Sequence, residues 1–121
     1  MNFEFKKYKQ YSLIRLYGDL VATHQSIDLL EKISEHTDLK DANFIIDLEK
    51  LNHINSVGLS ALLNILNQSR KVGGDVVLMN IPSHLMKLLV ITKLHSIFSV
   101  ASNINEAIVH FQEPMNTEIS S

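Results

Sequence analysis

Apolar residues in this chain fall into short blocks whose spacing alternates between two and three-to-four, the pattern of strands interleaved with helices. Phe3 and Phe5 alternate with polar neighbours, and Leu13 to Tyr17 forms a second extended run. Together they predict an opening hairpin that turns around Lys9-Gln10 and closes at Gly18-Asp19. From about Thr23, Ile27, Leu30 and Ile33 recur near helical spacing, with Asp28, Glu31 and Glu35 on the other side, so a first helix is expected there. The run Phe44-Ile45-Ile46-Asp47-Leu48 is short, β-branched and apolar, which suits a central strand covered on both faces. Asp47 at its end is expected to orient the next turn by accepting backbone N–H bonds.

The clearest periodicity follows Ser56. Leu59, Leu62, Leu63 and Leu66 form one stripe, with Ser60, Asn64, Asn67 and Lys71 opposite, which predicts an amphipathic helix with the leucines in the core. Ser56 is the expected cap, its hydroxyl beside the free N–H groups of the first turn. Gly73-Gly74 can take the left-handed conformation that ends a helix. Val76 to Met79 reads as a buried strand, Ser83 as the cap of a helix carrying Leu85, Leu88, Leu89 and Thr92, and Ile97 to Val100 as a short strand. Asn103 with Glu106 resembles a capping box opening a last helix through Phe111.

The expected fold is therefore α/β: a mixed four- to five-stranded sheet with an N-terminal hairpin, then alternating helices and strands, about four helices in all. One domain, 1–111, carries these elements, and 112–121 reads as a polar, flexible tail. In such sheets sites form beyond the carboxyl ends of strands, and the turn from Asn52 to Ser56 holds that position after Phe44–Leu48.

Composition narrows the chemistry. The chain has 121 residues, 45% of them apolar and 20% charged, with a net charge of −2, so neither a nucleic-acid face nor a polybasic membrane patch is expected. There is no cysteine, which excludes disulfides and thiol chemistry. The alternating start from Met1 to Lys6 lacks the apolar core of a signal peptide, and the apolar runs fall short of the ~20 residues of a membrane helix, so a cytoplasmic protein without membrane insertion is expected. His53 precedes Ser56 and Ser-x-Gly is half of a nucleophile elbow, but Ile54 stands where the first glycine would be needed. Phosphate-cradling glycine motifs are missing, and His24, His36, His53, His84, His95 and His110 show no metal-ligand spacing. No catalytic residue, metal or cofactor is expected, and the chain reads as a binding protein rather than an enzyme.

The run Phe44–Leu48, then Leu51, then Asn55-Ser56-Val57-Gly58-Leu59, resembles the STAS domain family, whose single-domain bacterial members open a helix with an Asp-Ser-Ser/Thr-Gly-Leu signature. The resemblance continues upstream through Ile14 to Leu20, and downstream through Lys71 to Leu78, Leu88 to Leu94, Ile97-Phe98 and Asn105-Glu106-Ala107. It differs at Asn55, where the signature has aspartate, and at Val57, where it has a hydroxyl residue. Val21 stands where many antagonists carry a further aspartate, and Lys93 where glycine is usual.

The resemblance implies an anti-sigma-factor antagonist that switches partners. Ser56 would be the phosphorylation site, and Asn55, Ser56, Val57, Gly58 and Leu59 would form the partner-binding turn. The implied partners are a serine kinase that is also an anti-sigma factor, with a histidine-kinase-like ATPase fold, and a serine phosphatase acting on phospho-Ser56. The alternative is a constitutive STAS subunit of a larger sensory or membrane-transport assembly, which the residues at Asn55 and Val57 suit.

Overall fold

The structure is a computed structural model and describes residues 1–111; the expected flexible tail, 112–121, lies outside the described residues. The opening hairpin forms as the alternation requires: β1 (Asn2–Lys7) runs antiparallel to β2 (Ser12–Leu20), with Asn2 opposite Tyr17 and Lys7 opposite Ser12. Pairing with β1 ends at Tyr17, but β2 itself does not stop at Gly18-Asp19. Gly18 takes a φ of +85°, open to glycine and costly to other residues, and the register shifts between Gly18 and Asp19. The strand then continues to Leu20 and there pairs parallel with β4 (Leu51–Ile54).

β4 corrects the expectation of a plain turn from Asn52 to Ser56. Only Leu51 and Ile54 of its four residues are buried, so neither length nor alternation announces a strand. Its partner lies more than 30 residues away and is reachable only because β2 bends at Gly18.

Between β2 and the central strand β3 (Asn43–Asp47), a 3₁₀ turn at Thr23–Ser26 leads into α1 (Ile27–Asp38). The buried stripe of α1 is Leu29, Ile33 and Thr37, not Ile27 and Leu30: Ile27 is 50% exposed. Residues two apart in a helix lie about 200° apart, so Ile27 and Leu29 cannot share the core face. β3 is buried on both faces, as expected.

α2 (Ser56–Lys71) runs for 16 residues, burying Leu59, Leu62, Ile65 and Leu66, with Leu63 at the margin. Gly73, at φ +88°, ends it, and the Gly74 amide donates to the Ser69 carbonyl over 2.8 Å. β5 (Asp75–Met79) follows, then α3 (Ser83–Ile91), whose cap position is Pro82; Ser83 is the first helical residue rather than the cap. The last strand, β6 (Ser99–Ala101), starts two residues later than expected because the Ile97 and Phe98 amides both donate to the Leu94 carbonyl in a 3₁₀ turn. α4, residues 104–111, opens with the expected box: Asn103 Oδ1 accepts from the Glu106 amide at 3.0 Å. Glu106 in turn accepts from the amide of Ser102 at 3.1 Å, one residue before the box predicts.

The sheet has six strands, one more than the upper expectation, in the order β1-β2-β3-β5-β6 with β4 attached to the end of β2. All pairings except β1 with β2 are parallel. α1, α2 and α3 cover one face, packing Leu29, Ile33, Leu62, Ile65, Leu85 and Leu89 onto Ile14, Leu16, Phe44, Ile46 and Leu78. α4 covers the other, setting Ala107, Ile104 and Ile108 against Ile45, Val77 and Met79.

Candidate functional site at the start of helix α2

The carboxyl ends of β2 and β4 lie side by side, and the chain leaves β4 directly into α2. At that junction Asn55, not Ser56, is the cap. Its backbone is extended (φ −131°), and its Oδ1 accepts from the amides of Val57 (3.0 Å) and Gly58 (3.3 Å). The carboxamide is also a donor: Nδ2 reaches the Val21 carbonyl at 3.2 Å. Asn55 thus ties the end of β4 to the loop after β2 while closing two free N–H groups of the helix. An aspartate here would keep the cap and lack the donor to Val21.

With the cap taken by its neighbour, Ser56 is the first residue of the helix, exposed, its hydroxyl outside the cap. Its carbonyl accepts from Ser60 Oγ at 3.0 Å. Val57 beside it is 40% exposed. Gly58 and Leu59 lie beneath the surface, so of the five residues of the expected docking turn only Asn55, Ser56 and Val57 are accessible. A Cβ built on Gly58 would stand 2.1 Å from the Leu20 carbonyl oxygen and 2.7 Å from Ile54 Cγ1, so glycine is required by the close approach of α2 to the ends of β2 and β4.

Two further residues stand on this surface that sequence reasoning did not bring together. His53 Nδ1 and Asp19 Oδ1 are 2.8 Å apart, bridging the exposed ends of β4 and β2. They are 34 residues apart in sequence, and only the pairing of those two strands makes them neighbours. The expected role of Asp47 is met at the end of β3: its Oδ1 accepts from the Glu49 amide and from Asn80 Nδ2, each at 3.0 Å. Its Oδ2 accepts from Arg15 Nε at 3.1 Å, and that hydrogen bond raises the guanidinium pKa further above its ordinary value. Among the described residues no cluster of three or more histidine, aspartate or glutamate side chains could hold a metal, and no helix is long and apolar enough to cross a membrane.

The surface thus consists of an exposed serine opening a helix at the carboxyl edge of a mixed sheet, with a packing glycine two residues on. The STAS domain model matches residues 2–107, and the chain belongs to that family. Among curated proteins it is 28% identical over 100 residues to BtrV of Bordetella bronchiseptica, described as a candidate anti-sigma factor antagonist, covering 83% of this chain and 86% of that one. Among solved structures, a candidate anti-sigma factor antagonist of Thermotoga maritima superposes with a TM-score of 0.79 at 20% identity, over 91% of this chain and 94% of its own. The Bacillus cell fate determinant SpoIIAA superposes in its phosphorylated form with a TM-score of 0.69 at 23% identity, over 90% of this chain and 98% of its own. The chain has the fold of the anti-sigma-factor antagonists.

Lys93, where the resemblance leads one to expect glycine, sits between α3 and the following 3₁₀ turn with a left-handed φ of +63°, a conformation glycine takes without a Cβ penalty.

Proposed function

We propose that this chain is a phosphorylation-controlled binding protein of the anti-sigma-factor antagonist type, with Ser56 as the phosphate acceptor. The observation that carries the reading is the position of Ser56: exposed, first in a 16-residue helix, and free of the capping bonds, which Asn55 supplies. A phosphate there adds about −1.5 to −2 charges beside the positive end of the helix, where the fold tolerates negative charge. The helix therefore persists while the docking surface gains negative charge. A partner that buries Ser56 would lose roughly 2–5 kcal/mol to an unpaired charge, enough to release it.

In this reading the unmodified turn binds a serine kinase that doubles as an anti-sigma factor and has a histidine-kinase-like ATPase fold, and a serine phosphatase resets phospho-Ser56. The chain itself catalyses nothing and acts in the cytoplasm. The likeness to proteins described as antagonists supports the partner class. The test is incubation with the cognate kinase and ATP, followed by mass spectrometry of the Ser56 peptide and partner titrations of Ser56→Asp and Ser56→Ala. Phosphate on Ser56, with binding lost in Ser56→Asp and kept in Ser56→Ala, supports the switch. No phosphate, with equal affinity of both variants, overturns it in favour of a constitutive subunit that docks without a phosphate cycle.

A further inference from the structure

Two hollows between α1 and α2 join into one groove. The first, about 360 Å³, runs from Val57 past Ala61 to Asn64, and the second, about 600 Å³, continues to Gln68; Leu30 and Asn64 line both. From Val57 to Gln68 the groove spans roughly 17 Å, about three helical turns. Its two walls differ. On α1, Glu31, Glu35 and Asp38 succeed one another at helical spacing, headed by the half-exposed Ile27. On α2 the wall is uncharged, made by Val57, Ser60, Asn64 and Gln68. No lysine, arginine or histidine lines either hollow, and Lys32 of α1 is turned away, 5.3 Å above the Phe5 ring.

The groove is braced rather than collapsible. Ser34 Oγ donates to Gln68 Oε1 at 3.0 Å across the helix pair, and Gln68 Nε2 donates to Asn64 Oδ1 at 2.7 Å. Ile27, Leu30, Val57 and Ala61 give apolar seats between one acidic and one neutral wall, which matches an amphipathic helix with apolar anchors on one face and basic side chains along one flank.

We infer that the α1–α2 groove is a docking seat for a basic amphipathic helix of a partner protein. It rests on the reading of this chain as a binding module but not on a phosphate at Ser56, and it extends the docking surface from Val57 along the full face of both helices. A second copy of this chain fits poorly, because the same face of another copy brings only acidic and uncharged walls and no basic flank. Nor does the chain's own tail match, since 112–121 carries Glu113 and Glu118 and no lysine or arginine.

The test uses the full chain and a labelled leucine–lysine peptide of about 16 residues, its leucines at helical spacing, beside a scrambled peptide of the same composition. Isotope-labelled chain should show amide shifts concentrated on Ile27–Asp38 and Val57–Gln68. By fluorescence anisotropy the pair Glu31→Lys, Glu35→Lys should weaken binding about tenfold or more, and Lys32→Glu should leave it unchanged. If the lysine pair does not fold, Glu31→Gln with Glu35→Gln makes the same comparison. Equal binding of the scrambled peptide, shifts centred elsewhere, or indifference to the charge changes would overturn the proposal, as would a dimer of the chain closed through this face. Failure of kinase labelling at Ser56 bears on the switch alone, and failure of this titration bears on the groove alone.

Discussion

Asn55 and Ser56 divide between them what a single residue was expected to do. The cap is the asparagine, through two accepted hydrogen bonds and a third donated to Val21. Asn55→Ala should therefore cost about 1–2 kcal/mol in urea denaturation, and Ser56→Ala close to nothing. Equal losses in the two variants would return the cap to Ser56. Asn55→Asp should fall between them, since it keeps the cap bonds and gives up the donor to Val21. At Gly58 even one methyl meets the Leu20 carbonyl, so Gly58→Ala should lose about 1–3 kcal/mol or more, read as a lower urea midpoint. None of these distinctions is legible along the chain: Asn and Ser are both good caps, and which one serves depends on where β4 releases the backbone.

Elements announced by their own pattern came out where that pattern put them. β3, β5 and the body of α2 are dense apolar blocks whose burial needs no distant partner to be foreseen. β4 is the opposite case, four residues whose strand character exists only against the bent end of β2. The late start of β6 has a similar cause, because backbone amides that could extend it are already bonded within the preceding turn. A comparable long-range tie joins β1 to the end of α1. Asp41 stands 3.0 Å from Lys7 Nζ and 3.1 Å from His36 Nδ1. Burial pushes its carboxyl pKa up, but the hydrogen bonds from Lys7 and His36 outweigh that and hold it below the ordinary 3.8. A carboxyl that is more acidic in the folded chain stabilises the fold where it is ionised. Its contribution is full above 3.8 and fades as the pH falls through the lower folded value. Urea midpoints measured across that range should show Asp41→Asn less stable than the natural chain at neutral pH, with the gap closing in acid. A gap that persists undiminished in acid would remove the ion pairs as its cause.

At the scale of the whole molecule, the proposed switch is a change of charge and not of fold. Ser56→Asp places a carboxylate at the positive end of α2 and should leave stability within about 1 kcal/mol of the natural chain. Thermal and urea melts check this directly, and a loss well beyond that would mean that the turn rearranges when it gains charge. The layered architecture was readable from alternation, while the geometry of the candidate site was readable only in part. Ser56 stood out because it begins the most periodic helix, whereas the Asp19–His53 pair emerges only when two segments are laid together.

β1 and β6, the two ends of the main strand order, carry one more consequence. β1 carries exposed Glu4 and Lys6, and β6 offers a ladder of only three residues. Neither rim invites a foreign strand, since charge guards one and brevity the other. The domain can therefore be concentrated without zipping edge-on into fibrils, and replacing Lys6 by valine should make light scattering rise on storage where the natural chain stays clear.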